Sequence, residues 1–74
     1  MTMKIIGKTS TTYFTFESSE KIRFGEYVIV KNIDDEDVLA IVKDVIAEEG
    51  KFICSAKVIG VLNGNRITSN RSPV

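Results

Sequence analysis

The chain has 74 residues, no net charge, one cysteine and no histidine. A chain this short has room for one domain and one small core, because it buries only roughly 60% of its unfolded surface. A single cysteine cannot form an internal disulfide, and because the chain has no histidine, a zinc site would have at most one soft ligand. The neutral overall charge gives no sign of a nucleic-acid binder.

The charges are unevenly distributed along the chain. Residues 32–50 contain seven acidic side chains and only one basic one, Lys43. Residues 51–74 contain four basic side chains and no acidic one. The middle of the chain is therefore acidic and its last third is basic.

The apolar composition favours β-structure. Ten isoleucines and eight valines stand against two leucines, and β-branched side chains fit strands better than helices. The longest uncharged apolar run, 58–62, is far short of the ~20 residues that a membrane helix needs. The N-terminal residues show no signal-peptide pattern, so we expect a cytoplasmic protein that does not span a membrane.

Turn signals divide the chain into six predicted strands. They cover residues 3–9, 12–17, 27–32, 38–46, 52–62 and 66–68. Gly25, Gly50 and Asn63-Gly64 supply residues that tolerate turn conformations. A helix over 36–49 is the competing interpretation, but its β-branched residues argue against it. We therefore predict an all-β fold, a small six-stranded closed or nearly closed β-barrel.

Alternation along the strands predicts which side chains face the core. The inward set is Ile5, Phe14, Phe16, Val28, Val30, Ala40, Val42, Ala56 and Val58. Cys54 and Gly60 fall on the inward side of the fifth strand, where a free cysteine acts as a small buried hydrophobe. The barrel is predicted over 1–68, with 69–74 as a flexible tail or a connector.

No pattern in the chain points to catalysis or to a bound cofactor. Gly7-Lys8-Thr9 ends like a P-loop, but it lacks the preceding glycine and the following helix that cradle a phosphate. The acidic run 34–37 lacks the alternate spacing and the glycine of a calcium loop, so a solvated hairpin loop is the better interpretation. We expect no catalytic, cofactor-binding or metal-binding residues and no small-molecule substrate, and therefore no enzyme activity in this chain.

Four apolar side chains do not fit the inward pattern, and one of them is Ile6, which lies between Lys4 and Lys8. If Val28 and Val58 face the core, then Ile29, Ile59 and Val61 are left on the outside. They could be ordinary exposed residues combined with an error in register. They could also form a surface for association with another protein. A barrel with an acidic side and a basic end could in addition pack head-to-tail, and such contacts can close into rings.

A second possibility is nucleic-acid binding. Tyr13 and Tyr27 alternate with inward positions, and Lys8, Arg23 and Lys31 lie near them in sequence. Exposed rings in a positive groove are typical of oligonucleotide-binding barrels, on which bases stack. Two tyrosines in a neutral chain make this a weaker signal than the barrel pattern.

The order of these elements resembles the HAS-barrel, a domain shared by HerA-type DNA-translocating ATPases and the ATP synthase α and β subunits. The resemblance covers residues 4 to 74 and rests on apolar and glycine positions in order. These are Ile5-Ile6-Gly7, Phe14-x-Phe16, Ile22-x-Phe24-Gly25-Glu26-Tyr27-Val28-x-Val30, Val38-Leu39-Ala40-Ile41-Val42-x-Asp44-Val45, Ala56-Lys57-Val58-Ile59-Gly60 and Ser72-Pro73-Val74.

The resemblance implies a role that the residues alone do not. HAS-barrels sit as a crown at the N-terminal side of a hexameric RecA-type motor. In HerA-like proteins of archaeal recombination repair the crown helps to hold the ring together and docks a NurA-type nuclease for DNA end resection. The implied partners are further copies of the chain, the nuclease and, with weaker support, DNA. The loop at 47–52 is short for the HerA group.

Overall fold

The computed structural model describes residues 3–74, and these form six strands and no helix. The strands are β1 (Met3–Ile6), β2 (Tyr13–Ser18), β3 (Tyr27–Lys31), β4 (Asp37–Glu48), β5 (Lys51–Asn63) and β6 (Arg66–Thr68). The all-β prediction is confirmed, and the competing helix over 36–49 is wrong because that segment is β4. Residues 1 and 2 of the predicted barrel lie outside the described part.

The strands differ from the predicted ones mainly at their ends. β1 stops at Ile6 because Gly7 takes a φ of 68°, a conformation that breaks a strand. The hairpin of β4 and β5 is longer than predicted, since pairing continues to Glu48 and Lys51 next to Gly50. No helix in residues 3–74 is of a length and hydropathy that would cross a bilayer.

All six strands belong to one antiparallel sheet with the order β1-β2-β5-β4-β3. β6 pairs with the last residues of β5, beyond the part that pairs with β2. Within residues 3–74 the end strands β1 and β3 each pair with one neighbour. The sheet is therefore a barrel that is nearly closed rather than closed, as predicted.

Two bulges interrupt the ladder between β4 and β5. Lys43 on β4 and Ile59 on β5 have no opposite residue, so the pairing shifts by one position at each. A bulge reverses which side the following residues face. Val61 is consequently buried, and a Cβ on Gly60 would point at β6. The predictions that Gly60 faces inward and Val61 outward are both wrong for this reason.

The core lies between the inward faces of the strands. Phe14 and Phe16 are fully buried, with their ring centroids 5.9 Å apart. All nine predicted inward residues belong to the core cluster or pack against it. Cys54 is also fully buried in it.

We predict that Phe16→Ala destabilises the domain strongly. Loss of a fully buried phenylalanine ring costs ~3–5 kcal/mol, a large share of the free energy of unfolding of so small a domain. Phe24→Ala is the matched control, because Phe24 is 71% exposed. Thermal unfolding followed by circular dichroism measures both. Equal melting temperatures for the two variants would show that Phe16 does not anchor the core.

We also predict that stability falls in alkaline solution through Cys54. Burial raises the pKa of the Cys54 thiol, and the carboxylates of Glu26 and Asp44 raise this pKa further. Above the unfolded-state value of about 8.5 the unfolded chain loses this proton while the folded chain keeps it. The free energy of unfolding therefore decreases as pH rises above that value, by at most about 1.4 kcal/mol per pH unit.

Urea unfolding between about pH 7.5 and about pH 9.5 measures this dependence. Cys54→Ala is the control, because it removes the thiol and leaves every other titrating group. We expect the variant to be less stable but to lose the Cys54 part of the alkaline decline. The same slope in both proteins would contradict the assignment.

Candidate association surface

The outer face of the sheet carries two rows of side chains that cross the strands. In the first row Tyr13 on β2 lies opposite Lys57 on β5, which lies opposite Ile41 on β4 and then Tyr27 on β3. The tyrosines are 54% and 64% exposed. Three strand spacings of about 4.8 Å place them roughly 14 Å apart on one face.

The second row is apolar. Ile29 on β3 lies opposite Leu39 on β4, and Leu39 lies opposite Gly60 on β5. A Cβ at Gly60 would lie 2.6 Å from Cγ2 of Ile67 and 2.5 Å from the carbonyl oxygen of Thr68. Glycine at this position therefore lets β6 lie close against β5 and brings Ile67 into the row. Together with the neighbouring residues these side chains form the outer apolar face: Tyr27, Ile29, Leu39, Ile41, Ile59 and Ile67.

The structure brings together two of the three predicted association residues. Ile29 is 55% exposed and Ile59 is 44% exposed, on strands that flank Leu39. Val61 is only 5% exposed and belongs to the core, so it cannot take part in an exposed surface. The role of Ile29 and Ile59 in association stays a prediction.

Sequence reasoning missed Ile67 as part of this face. Ile67 is 54% exposed and lies opposite Leu62. The signal was Gly60, because a glycine inside a strand marks a bulge or a close backbone approach. Which of the two applies depends on the register of β5, and here a bulge precedes the glycine and β6 lies against it.

Only some of the residues proposed for nucleic-acid binding lie on one face of the sheet. An open groove of about 490 Å³ lies at the Tyr13–Lys57 end of the first row and is lined by Tyr13, Lys43 and Lys57, among others. Lys31 is engaged elsewhere, since its Nζ lies 2.9 Å from Oδ1 of Asp37. The hydrogen bond to Asp37 raises the pKa of Lys31, and the charges of Asp37 and Asp35 raise it further. Lys8 and Arg23 are exposed in loops outside this groove.

The acidic loop between β3 and β4 is shaped by Asn32. Its side-chain oxygen accepts hydrogen bonds from the backbone N–H groups of Asp34 and Glu36, both at 3.0 Å. Asp35 takes a φ of 62°, which aspartate tolerates better than most residues. Residues 3–74 contain no group of three or more side chains placed to hold a metal ion. The loop has the structure of a hairpin connection held by an asparagine turn.

Residues 69–74 are attached to the barrel. The Asn70 side chain donates to the carbonyl oxygens of Thr11 and Ser72, at 2.9 and 2.8 Å. Asn32 donates to the Asn70 side-chain oxygen at 3.0 Å. Val74 packs against the core. The segment thus connects the β1–β2 loop with the acidic loop, and the division of the chain into a barrel and a tail or connector stays a prediction.

The sequence of this chain is similar to that of a known repair protein. The chain is 62% identical over 72 residues to a protein of Methanocaldococcus jannaschii named "Probable DNA double-strand break repair helicase HerA". The match covers 97% of this chain and 14% of that protein, so the chain spans about one seventh of the curated relative. The search of solved structures found no match.

A family model gives the assignment. The model of the HAS barrel domain matches residues 2–66, a range that contains five strands and the start of the sixth. The six antiparallel strands and the inward core agree with that match. The chain belongs to the HAS barrel domain family.

Proposed function

We propose that this chain is the non-catalytic, N-terminal assembly domain of a cytoplasmic HerA-like hexameric ATPase that translocates DNA. In this role the barrel helps to form the ring and docks a NurA-type nuclease during DNA end resection and repair. The observation that carries the proposal is the 62% identity over nearly the whole chain to a protein named as a double-strand break repair helicase. The reading frame that follows Val74 gives a direct test, since a motor with a complete P-loop is expected there.

The barrel itself is proposed to have no ATPase activity. Gly7-Lys8-Thr9 follows β1, and the next element along the chain is the strand β2 rather than a helix. A P-loop needs a helix N-terminus behind it to bind phosphate. ATP hydrolysis therefore belongs, in this proposal, to another part of the longer protein.

The outer apolar face supports the assembly role. Monomeric proteins rarely expose a contiguous apolar patch larger than roughly a few hundred Å², and patches above that size mark interaction sites. Here Ile29 on β3, Ile59 on β5 and Ile67 on β6 are all exposed by more than two fifths, and β4 lies between β3 and β5. Burying one such side chain contributes about 1.5–3 kcal/mol relative to leaving it in water, so a neighbouring subunit would gain by covering this face.

We predict that the double substitution Ile29→Glu with Ile59→Glu weakens the ring. Each glutamate would place a charge at an apolar contact, and we expect the dissociation constant between subunits to rise by more than about tenfold. Sedimentation velocity of the ring-forming protein measures the change as a shift to smaller species. Ile46→Glu is the matched control, because Ile46 is 54% exposed and lies on β4 away from the outer apolar face.

Several results would contradict this proposal. A ring that is unchanged by the double substitution would show that the outer apolar face does not hold subunits together. A longer protein that sediments as a monomer at every concentration would contradict ring formation itself. Failure of a NurA-type nuclease to co-purify with the intact ring would contradict the docking role.

A second candidate function is binding of single-stranded nucleic acid, as in oligonucleotide-binding or translation-factor barrels. The first row favours it, because Tyr13 and Tyr27 are exposed on one face and Lys57 lies beside Tyr13. Exposed rings stack on bases and lysines contact phosphates. The seven acidic residues of 32–50 oppose it, since they repel a polyanion.

Binding to single-stranded DNA distinguishes the two functions. If the barrel is an assembly domain, we expect the 74-residue chain to show no binding even at low salt, where phosphate contacts are strongest. Fluorescence anisotropy of a labelled oligonucleotide measures this. Salt-dependent binding that is lost in a Tyr13→Ala, Lys57→Ala variant would favour the nucleic-acid function instead. Lys21→Ala, in the β2–β3 loop, is the control for a general loss of positive charge.

A further inference from the structure

β3 has one partner strand and one open edge. In an antiparallel pair, successive residues direct their backbone groups alternately toward the partner and away from it. The N–H of Asn32 bonds to the carbonyl of Glu36 at 3.1 Å, and the N–H of Val42 bonds to the carbonyl of Glu26 at 2.8 Å. The even-numbered residues of this stretch therefore bond to β4.

The odd-numbered residues of β3 face the other way. Tyr27, Ile29 and Lys31 direct their N–H and C=O groups to the edge that no strand of residues 3–74 covers. An open edge of this kind is a template for an added strand. β3 has little of the usual protection, because it contains no proline and no bulge, and its single charge, Lys31, lies at its end.

The end of the chain makes one backbone hydrogen bond at the end of this edge. The N–H of Ile33, the next odd-numbered residue after β3, donates to the carbonyl of Pro73 at 2.9 Å. The Ser72 hydroxyl donates to the Asp34 carboxylate, and Val74 packs against the core. As the chain advances from Ser72 to Pro73, its hydrogen-bond partner steps back from Asp34 to Ile33, toward β3, which is the direction of an antiparallel pair.

Proline also explains why only one hydrogen bond forms at this position. Two opposed residues of an antiparallel ladder exchange two bonds, but Pro73 has no N–H to donate. The single bond from Ile33 to Pro73 is thus all that such a pair can make. The next positions of the ladder would be free of this restriction.

We propose that the segment following Val74 in the longer protein continues this ladder as an antiparallel seventh strand on the open edge of β3. In that register the first residue after Val74 lies opposite Lys31, the third opposite Ile29 and the fifth opposite Tyr27. The inference rests on the proposed function, in which the barrel is joined to a much larger ATPase. The relative that this chain matches is about seven times longer than the match, so the proposal has a source for the strand.

The added strand would serve as the mechanical link between barrel and motor. A strand paired along five residues of β3 fixes the direction and register in which the chain leaves the barrel. A subunit contact or a nuclease bound to the outer apolar face would then act on the motor through β3, since Tyr27 and Ile29 belong both to that face and to the paired edge. A loose connector would transmit no such force.

Amide hydrogen exchange at single-residue resolution tests the proposal. In the 74-residue chain we expect the N–H groups of Tyr27, Ile29 and Lys31 to exchange quickly, because no strand within residues 3–74 pairs with this edge. In the longer protein they should exchange at least about tenfold more slowly, as hydrogen-bonded amides do. Val28 and Val30 are internal controls, because their amides bond to β4 in both proteins.

A variant with an altered segment after Val74 tests whether that segment is what covers the open edge of β3. Replacing the five residues after Val74 by a glycine–serine segment of equal length disfavours a strand there and keeps the connection. We expect protection of Tyr27, Ile29 and Lys31 to be lost in this variant while Val28 and Val30 stay protected. Protection that persists, or that depends on protein concentration, would show that another chain covers the edge and would overturn the proposal.

The test separates this inference from the proposed function. Equal exchange at the three amides in the short and long proteins overturns the seventh strand even if the protein forms a ring and hydrolyses ATP. A long protein that shows the expected protection but sediments as a monomer contradicts the ring and supports the strand. The two proposals can therefore fail independently.

Discussion

The antiparallel pairing of β4 with β5 holds the rest of this structure in place. β5 is the central strand, and it pairs with β2 and β6 on one side and with β4 along the other. The two bulges in this ladder, at Lys43 and Ile59, increase the local twist and bend the strands. A sheet of this length would otherwise stay more open, and the bend brings the inward faces together around Phe14 and Phe16.

The same bulges limit what could be predicted from the sequence. Strict alternation placed the nine inward residues correctly, because those residues lie on strands or strand halves with unbroken register. It failed after Ile59, where one extra residue moved Val61 into the core and turned Gly60 toward β6. A bulge depends on the partner strand, and no local feature of Val58-Ile59-Gly60-Val61 indicates which of the four residues is unpaired. Of the six residues of the outer apolar face, only Ile29 and Ile59 were therefore predicted as association residues, and Ile67 was found only from the structure.

Contacts between distant parts of the chain also could not be predicted from the sequence. The segment 69–74 is polar and looks unstructured by composition. It is nevertheless held by Asn70, which bonds to Thr11 and Asn32 at sequence separations of 59 and 38 residues. A buried amide such as that of Asn32 requires partners, and Asn70 and Glu36 supply them. The family resemblance included Ser72-Pro73-Val74, which no period-two signal marks, but the family match ends at residue 66, before this segment.

The surface features of the barrel share one physical origin, which is the small size of its core. A domain of 74 residues cannot cover every apolar side chain or pair every strand edge, and the structure leaves both kinds of group exposed on β3. The outer apolar face needs a partner that supplies apolar area, whereas the open edge needs one that supplies backbone donors and acceptors. A neighbouring subunit can satisfy the first need and the chain's own continuation the second, without competition, because side chains and backbone groups of a strand point in perpendicular directions. In the proposed function, assembly and connection to a motor can therefore use the same short strand.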